Sequence, residues 1–319
     1  MDALLDPIVF FFLLGLMAKL VKSDLKIPES LYESLSIYLL LAIGLKGGIE
    51  LSEAHLSKVI VPLGGTLLIG GLVPVIAFFL AMNVFKYNRN DSAALATHYG
   101  SVSAVTFAVC LSYLSRMQIE YDHFVTVMLV MLEMPALIVG ITLAKMGTKN
   151  FKENLGNVLH EVICGKSIFL LVGGLVIGFI AGAERMEPLK VVFVTPFKGA
   201  LAFFLLEMGL VVASRIKTLK KVGFSLLIFA IMMPLISAVL ACFIGSLCGL
   251  SLGGVIVLAT LASSGSYIAA PAAVRIGIPE ANPAIYLTAS LAITFPFNVV
   301  FGISIYHHMA IFVQSLIGG

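Results

Sequence analysis

The chain has 319 residues, 60% of them hydrophobic and 12% charged, with a mean hydropathy of +1.08 and no tryptophan. A soluble domain carries roughly a quarter charged residues, so this composition excludes a water-soluble protein and indicates an all-α, multi-pass protein in a lipid bilayer. A net charge of +3 is too small to imply a nucleic-acid partner.

Apolar runs long enough to cross a bilayer core recur ten times, at 3–21, 30–49, 57–84, 91–115, 121–145, 167–183, 190–214, 221–249, 252–275 and 284–312. The first opens with Met1-Asp2 and no basic segment, so it is expected to be a retained span rather than a cleaved signal. The second ends in "IGLKGG" with Lys46 inside it. Gly64-Gly65 and Gly70-Gly71 in the third run, and Gly173-Gly174 in the sixth, read as close-packing surfaces. Glu133 lies deep in the fifth, in "MLEMPAL", and Glu207 in the seventh, in "FLLEMGL". An ionised group at the bilayer centre costs about 2.5–3.5 kcal/mol or more, so each is expected to face the protein interior, Glu133 as a cation ligand or coupling carboxylate. Lys46 and Glu207 occupy equivalent second spans of the two halves, where an ion pair is plausible. His98 reads as a packing or hydrogen-bonding residue, and His307 and His308 as interfacial. The cysteines Cys110, Cys164, Cys242 and Cys248 have no metal-binding spacing and read as small apolar residues.

Lys and Arg in the connections give the orientation. Lys19, Lys22, Lys26, Lys86, Arg89, Lys145, Lys149, Lys152, Lys166, Arg215, Lys217, Lys220, Lys221 and Arg275 collect on one side, against Lys58, Arg116, Arg185 and Lys190 on the other. The first side is therefore cytoplasmic, and ten spans leave both termini outside.

The halves also resemble each other. "LATHYGSVS" (95–103) lies over "LATLASSGS" (258–266), and "LSKV" (56–59) over "LKKV" (219–222), both at an offset of 163. Pro74 matches Pro234, Pro135 matches Pro296 and Gly140 matches Gly302. Residues 1–145 and 167–319 thus read as two five-helix repeats joined by a cytoplasmic linker, 146–166. Five spans per half make the second copy inverted, as in secondary transporters whose binding site lies between paired interrupted helices.

The matched pair is the fourth and ninth spans, "ATHYGSVSAVTFA" (96–108) and "ATLASSGSYIAAPA" (259–272). Both put glycine and several hydroxyls at the centre of an apolar run. Gly100 and Gly265 lower the cost of leaving helical geometry, and Pro271 removes a backbone donor. Broken helices crossing at the midplane would expose N–H groups able to hold an anion, and carbonyl and hydroxyl oxygens suited to sodium. No Walker A, HExxH or GxSxG sequence occurs, which leaves ATP-driven, zinc and serine chemistry, and enzymatic function generally, without support.

The segment "SLGGVIVLATLASSGSYIAAPAAVRIGIPEANPAIY" (251–286), with "IGLKGG" (43–48), "GSVSAVT" (100–106), "MPAL" (134–137) and "SRI" (214–216) in order, resembles the sodium-dependent bicarbonate transporters of the SbtA type. The resemblance implies sodium-coupled symport of bicarbonate, gate and core domains each drawn from both repeats, and a bacterial inner-membrane location. It assigns Ser101, Val102, Ser103, Ser264, Gly265 and Ser266 to the anion, and Tyr267, the next residue of this chain's second break, is counted with them. To sodium it assigns Ser103, Thr106, Glu133, Ser266 and Asn298. Sodium is the coupling ion, with no cofactor. The resemblance also implies a homo-oligomer, of which a trimer is the expected form, and a PII-like regulatory partner, against which the short linker argues. Tyr267 stands where that family has an acidic residue, so the anion or the sodium stoichiometry is open to change. Transport of another small anion or monocarboxylate, sodium/proton antiport, and a non-transporting bicarbonate receptor remain as alternatives.

Overall fold

In lipid every backbone polar group must find a partner within the chain, and apolar runs of this length satisfy that as helices. The computed structural model describes residues 7–54, 56–146, 160, 164–215 and 223–317. It is 84% helix, with no strand among the described residues. Most of the linker, and the "LKKV" partner of "LSKV", lie outside the described residues.

In chain order the helices are α1 Pro7–Leu20, α2 Glu29–Ser52, α3 Leu56–Phe79, α4 Arg89–Gly100, α5 Ala104–Met117 and α6 Val125–Lys145. There follow α7 Lys166–Met186, α8 Phe197–Ser214, α9 Phe224–Leu247, α10 Leu252–Ala262, α11 Ala269–Gly277 and α12 Pro283–Ile317. Eight helical segments among the described residues are long and apolar enough to cross a membrane, one of them being α4 and α5 taken together, while α1 and α10 are apolar but shorter. α3 runs on into a π-helical turn, Leu80–Val84, and α12 contains two more, Thr288–Thr294 and Asn298–Gly302, on either side of Pro296. Proline inside a helix withdraws a donor and displaces a carbonyl, which is where such local rearrangement of the ladder is expected.

The most extensive packing joins α2 to α7 and α1 to α8. Both contacts are glycine-to-backbone. A Cβ on Gly48 would overlap the Leu175 carbonyl oxygen, one on Gly178 the Leu45 carbonyl, and one on Gly209 the Phe12 carbonyl. The helices α3, α4 and α6 pack on one another, as do α9, α10 and α12, with α10 also against α5 and α9 against α3. Large apolar side chains such as Phe10, Met17, Ile60, Leu68, Phe169 and Ile180 point outward, the expected lipid-facing belt.

Three expectations change. Within each glycine pair only one member packs: Gly65, Gly70 and Gly174 meet neighbours, whereas Gly64, Gly71 and Gly173 face open space, because consecutive helical residues point about 100° apart. Lys46 does not pair with Glu207. Its ammonium reaches along α2 to Tyr121 Oη at 2.9 Å and to Glu50 at 3.6 Å, while Glu207 on α8 lies in the field of Lys19. His307 is buried rather than interfacial, its Nδ1 2.8 Å from Tyr113 Oη; α5 covers that face of α12.

Candidate functional site

The two interrupted spans are built alike. Asn88 caps α4 by accepting from the Asp91 N–H at 2.8 Å, and Ser251 caps α10 by accepting from the Gly254 N–H at 3.1 Å; these caps stand 251 − 88 = 163 residues apart. α4 ends at Gly100, and the chain then runs extended through Ser101 (φ −84, ψ 166) to Ser103 (φ −109, ψ 109). Ser103 caps α5, its Oγ accepting from the Thr106 N–H at 3.1 Å. In the second span α10 ends at Ala262, residues 264–266 are non-helical, and α11 starts at Ala269. There the Ser266 Oγ accepts from the Ala270 N–H at 3.2 Å, and 266 − 103 is again 163. The offset visible in the sequence reappears as matching N-caps at Asn88 and Ser251, and as matching serines, Ser103 and Ser266, that accept from the first turns of α5 and α11.

The breaks cross and tie to each other. The Ser103 N–H donates to Ser264 Oγ at 2.9 Å, and the Ser266 N–H donates to the His98 carbonyl at 2.9 Å. Ser264 passes its own hydrogen to the Leu261 carbonyl, and Ser263 Oγ donates to the Pro234 carbonyl at 2.7 Å. Backbone groups freed at this depth are thereby satisfied by the opposite break, as burial requires. His98 has the expected structural part, with Nδ1 2.8 Å from the Ala94 carbonyl and its ring on Tyr286.

The glycines and the proline act differently from expectation. Neither Gly100 nor Gly265 has a positive φ. Each permits close approach: a Cβ on Gly100 would lie 2.7 Å from Ala136 Cβ and 2.8 Å from Pro74, and one on Gly265 would lie 3.0 Å from Ser290 Cβ. Pro271 sits in the first turn of α11, where its missing N–H would have had no helical partner. It starts the second half-helix rather than breaking the first.

At the crossing lies a cavity of about 10 Å³, lined by Leu40, Val102, Ser103, Ala104, Glu133, Ser167, Ser266, Tyr267 and Ile268. Glu133, 3% exposed on α6, accepts from the Ser101 hydroxyl at 2.7 Å. The Ser103 Oγ accepts from both the N–H and the hydroxyl of Thr106 and donates to Tyr267 Oη at 3.1 Å. Ser103 is therefore saturated, and the phenolic hydrogen of Tyr267 is left over. The Tyr267 ring is held edge-on against Phe295, centroids 5.2 Å apart.

The structure thus gathers Val102, Ser103, Ser266, Tyr267 and Glu133 around one cavity. Ser101, Ser264 and Thr106 are each bonded to a lining residue, and Gly265 lies within the crossing. Asn298 is not at the cavity. Its amide donates to the Ser263 carbonyl at 2.9 Å and its Oδ1 accepts from Tyr306 at 2.6 Å, so it secures the end of α10 from behind. Ser167, on the first turn of α7, was missed because it follows directly on the polar linker and resembles its end. Leu40 and Ile268 were missed because apolar residues within apolar runs give no signal.

Cavities continue in both directions. Toward the Tyr121 end a space of about 540 Å³ is lined by Lys46, Phe107, Gln118, Tyr121, Phe197 and Lys198 among others, and a pocket sharing Ile43, Ala108 and Leu201 with it reaches Leu40, Ala104 and Ile268. Toward the opposite end of α7 a cavity of about 270 Å³ shares Ser167 and Ile268 with the crossing.

A polar cavity between two interrupted helices, flanked by wider spaces toward either end of a bundle of membrane-length helices, is the architecture of a membrane transporter. The chain belongs to the Na+-dependent bicarbonate transporter superfamily, whose family model matches residues 7–311. No curated protein matches the chain.

Proposed function

We propose that this protein is a sodium-coupled symporter carrying bicarbonate into the cell across a bacterial inner membrane, with ten spans in two inverted five-helix repeats and both termini outside. Support for the repeat comes from the two caps at an offset of 163 and from the packing pairs. Exchanging the first span with the sixth, and the second with the seventh, turns the α2–α7 contact into the α1–α8 contact. α1, α2, α7 and α8 then form the gate, the remaining helices the core. The lysine-rich side, with Lys145 and Lys166, is cytoplasmic.

The observation that carries the reading is the crossing itself. The N-terminal ends of α5 and α11 both open on the cavity, each bringing about half a positive charge without a fixed cation. An anion there draws on Ser101, Val102 and Ser103 from one break and Ser264, Gly265, Ser266 and Tyr267 from the other. Glu133, with Thr106 and Ser266, offers oxygens to sodium, Ser103 joins them once Thr106 turns its hydroxyl hydrogen away, and Asn298 supports the break from outside that set. Sodium binding stabilises the arrangement that holds the anion, and the cavity alternates between the two flanking spaces. A tenfold sodium gradient supplies about 1.4 kcal/mol per ion, and each net charge moved adds about 2.3 kcal/mol per 100 mV.

Uptake of labelled bicarbonate into proteoliposomes, with a sodium gradient or with potassium in its place, tests this. Sodium-dependent accumulation is expected, and equal uptake in potassium refutes the coupling. Small carboxylates run alongside would expose a different anion, proton movement without bicarbonate an antiporter, and binding without uptake a receptor.

A further inference from the structure

We propose that the cavity at the Lys166 end is a second oxyanion site, a staging position that the anion occupies between the crossing and the cytoplasm. Naming bicarbonate as its occupant rests on the symport reading; the site itself rests on its own walls. One wall is the whole first turn of α7, Gly165, Lys166, Ser167 and Ile168, and the other includes Ala269 and Ala273 of α11.

The geometry of the first wall favours an anion in three ways. The N-cap of α7 is Gly165, which has no side chain to offer the turn above it. The Phe169 N–H bonds back to the Gly165 carbonyl at 2.9 Å, so within α7 itself the N–H groups of Lys166, Ser167 and Ile168 have no partner. Second, the Ser167 side chain is 6% exposed and its hydroxyl makes no hydrogen bond with any described residue. It borders this cavity and the crossing cavity alike, and its oxygen is not among the enclosed unpaired atoms of the described residues, so the hydroxyl opens on the space it borders. Buried polar groups normally have a partner. Third, Lys166 lines the cavity, its ammonium 3.8 Å from the Glu33 carboxylate and both side chains about half exposed, at 45% and 58%. A pair so exposed is weakly held, which leaves the ammonium available.

No carboxylate is among the described residues lining this space, in contrast to the crossing cavity with Glu133. The second N-terminus, that of the nine-residue α11, contributes Ala269, although its Ala270 N–H is already taken by Ser266 Oγ. About 270 Å³ holds a trigonal oxyanion, bicarbonate or the head of a short carboxylate, with accompanying water. Ser167 is the group both positions share, so an anion released by Ser103 and Ser266 meets it next.

The test is thiol labelling of the purified full-length protein. Ser167→Cys is made with Cys164→Ser and Cys248→Ser, which removes the two native thiols that are not buried. Small anionic and cationic methanethiosulfonates are compared, each rate normalised to its rate with free thiol. The anionic reagent should react about tenfold faster or more, the scale of field focusing in a charged cleft. Bicarbonate should slow labelling, and Lys166→Gln should reduce the preference severalfold. Equal normalised rates, or no protection by bicarbonate, would overturn the site. If the Ser167 thiol variant is not monodisperse, Ala269→Cys on the facing wall takes the same test under the same criteria. Labelling does not require transport, so the two readings fail separately. Sodium-independent uptake with anion preference retained removes the symporter and leaves the site, and sodium-driven uptake without the preference does the reverse.

Discussion

Replacing Ser264 with alanine tests the crossing at a buried bond between the two breaks. Ser264 is 1% exposed, and its Oγ is the acceptor for the Ser103 N–H at 2.9 Å. Alanine leaves that N–H buried with nothing in its place, and a stranded buried donor costs about 1–3 kcal/mol. Hydrogen bonds between membrane helices average nearer 0.6 kcal/mol, with a maximum near 1.7, because the separated helices find other partners. Here the lesion opens a contact inside a folded bundle, so the upper part of that range applies, about 1–2 kcal/mol. That corresponds to a factor of about 5–30 in an equilibrium. The Leu261 carbonyl loses the Ser264 hydroxyl but keeps the Ser264 N–H at 3.1 Å, so it adds little.

Ser263→Ala is the control. Its hydroxyl donates to the Pro234 carbonyl, which lies within α9 and is also addressed by the N–H one turn on. Removing the hydroxyl strands no donor. Bicarbonate affinity should therefore fall about 5–30-fold in Ser264→Ala and much less in Ser263→Ala, read as the concentration for half-maximal sodium-driven uptake, with thermal stability in detergent measured in parallel. Equal behaviour of the two variants, or wild-type uptake in Ser264→Ala, would show that the tie between the breaks does not hold the site.

Glu133→Gln keeps an acceptor for the Ser101 hydroxyl and so should fold, but it removes the charge from the cavity. Sodium should then activate uptake at concentrations about tenfold or more higher, the lower end of a bond to a charged group; an unchanged sodium dependence would move the cation elsewhere. Tyr267→Phe deletes the phenolic hydroxyl and leaves the Ser103 hydroxyl without its acceptor, so bicarbonate affinity should drop about tenfold, the effect of roughly one such bond. Tyr267→Ala enlarges the cavity and should admit short carboxylates in uptake competition, and if it does not, the ring is not the size filter. Gly48→Ala drives a Cβ into the backbone of α7, 2.6 Å from the Phe179 nitrogen, an overpacking strain of about 1–3 kcal/mol or more. It should lower thermal stability without changing the ratio of sodium-driven to sodium-free uptake.

How much was legible depended on whether polarity contrasted with its surroundings. Hydroxyls clustered in "GSVS" and "SSGS" stand out against apolar neighbours, and the structure puts both clusters in non-helical chain that meets in space. The offset of 163 also survived, as paired caps at Asn88 and Ser251, and as paired serines, Ser103 and Ser266, that accept from the first turns of α5 and α11. What the sequence concealed was the reason for particular residues. Gly100 and Gly265 look like hinges, yet their φ values are ordinary and it is the approach of Pro74, Ala136 and Ser290 that excludes a side chain. Pro271 looks like a helix breaker and is a helix starter, a distinction that depends on where α11 begins. Lys46 and Glu207 carry opposite charges in equivalent spans, but charge does not say toward which end a long side chain extends. Ser167 could not be separated from the linker it follows until α7 was seen to start beside it.

The polar tie found between the proposed gate and core differs in kind from the contacts inside each. Within the gate, α1–α8 and α2–α7 meet backbone to backbone through Gly48, Gly178 and Gly209, a packing that tolerates no sliding because carbonyl oxygens lie where any Cβ would go. Across the boundary at the Tyr121 end the ties among the described residues include one ammonium on a flexible stem, Lys46 to Tyr121 Oη, at the edge of the 540 Å³ space, and the close approach of Gly47 on α2 to Thr126 on α6. At the middle there is apolar contact among Leu40, Ala104, Leu201 and Ile268, with a gap of about 10 Å³ between them. Apolar surfaces that remain covered can shift past each other without stranding a donor, whereas the crossing could not be pulled apart without stranding both the Ser103 and Ser266 N–H groups. Motion on the proposed mechanism is therefore expected to leave the crossing intact and to carry it, with whatever it holds, past Leu40 on α2 from one flanking space to the other.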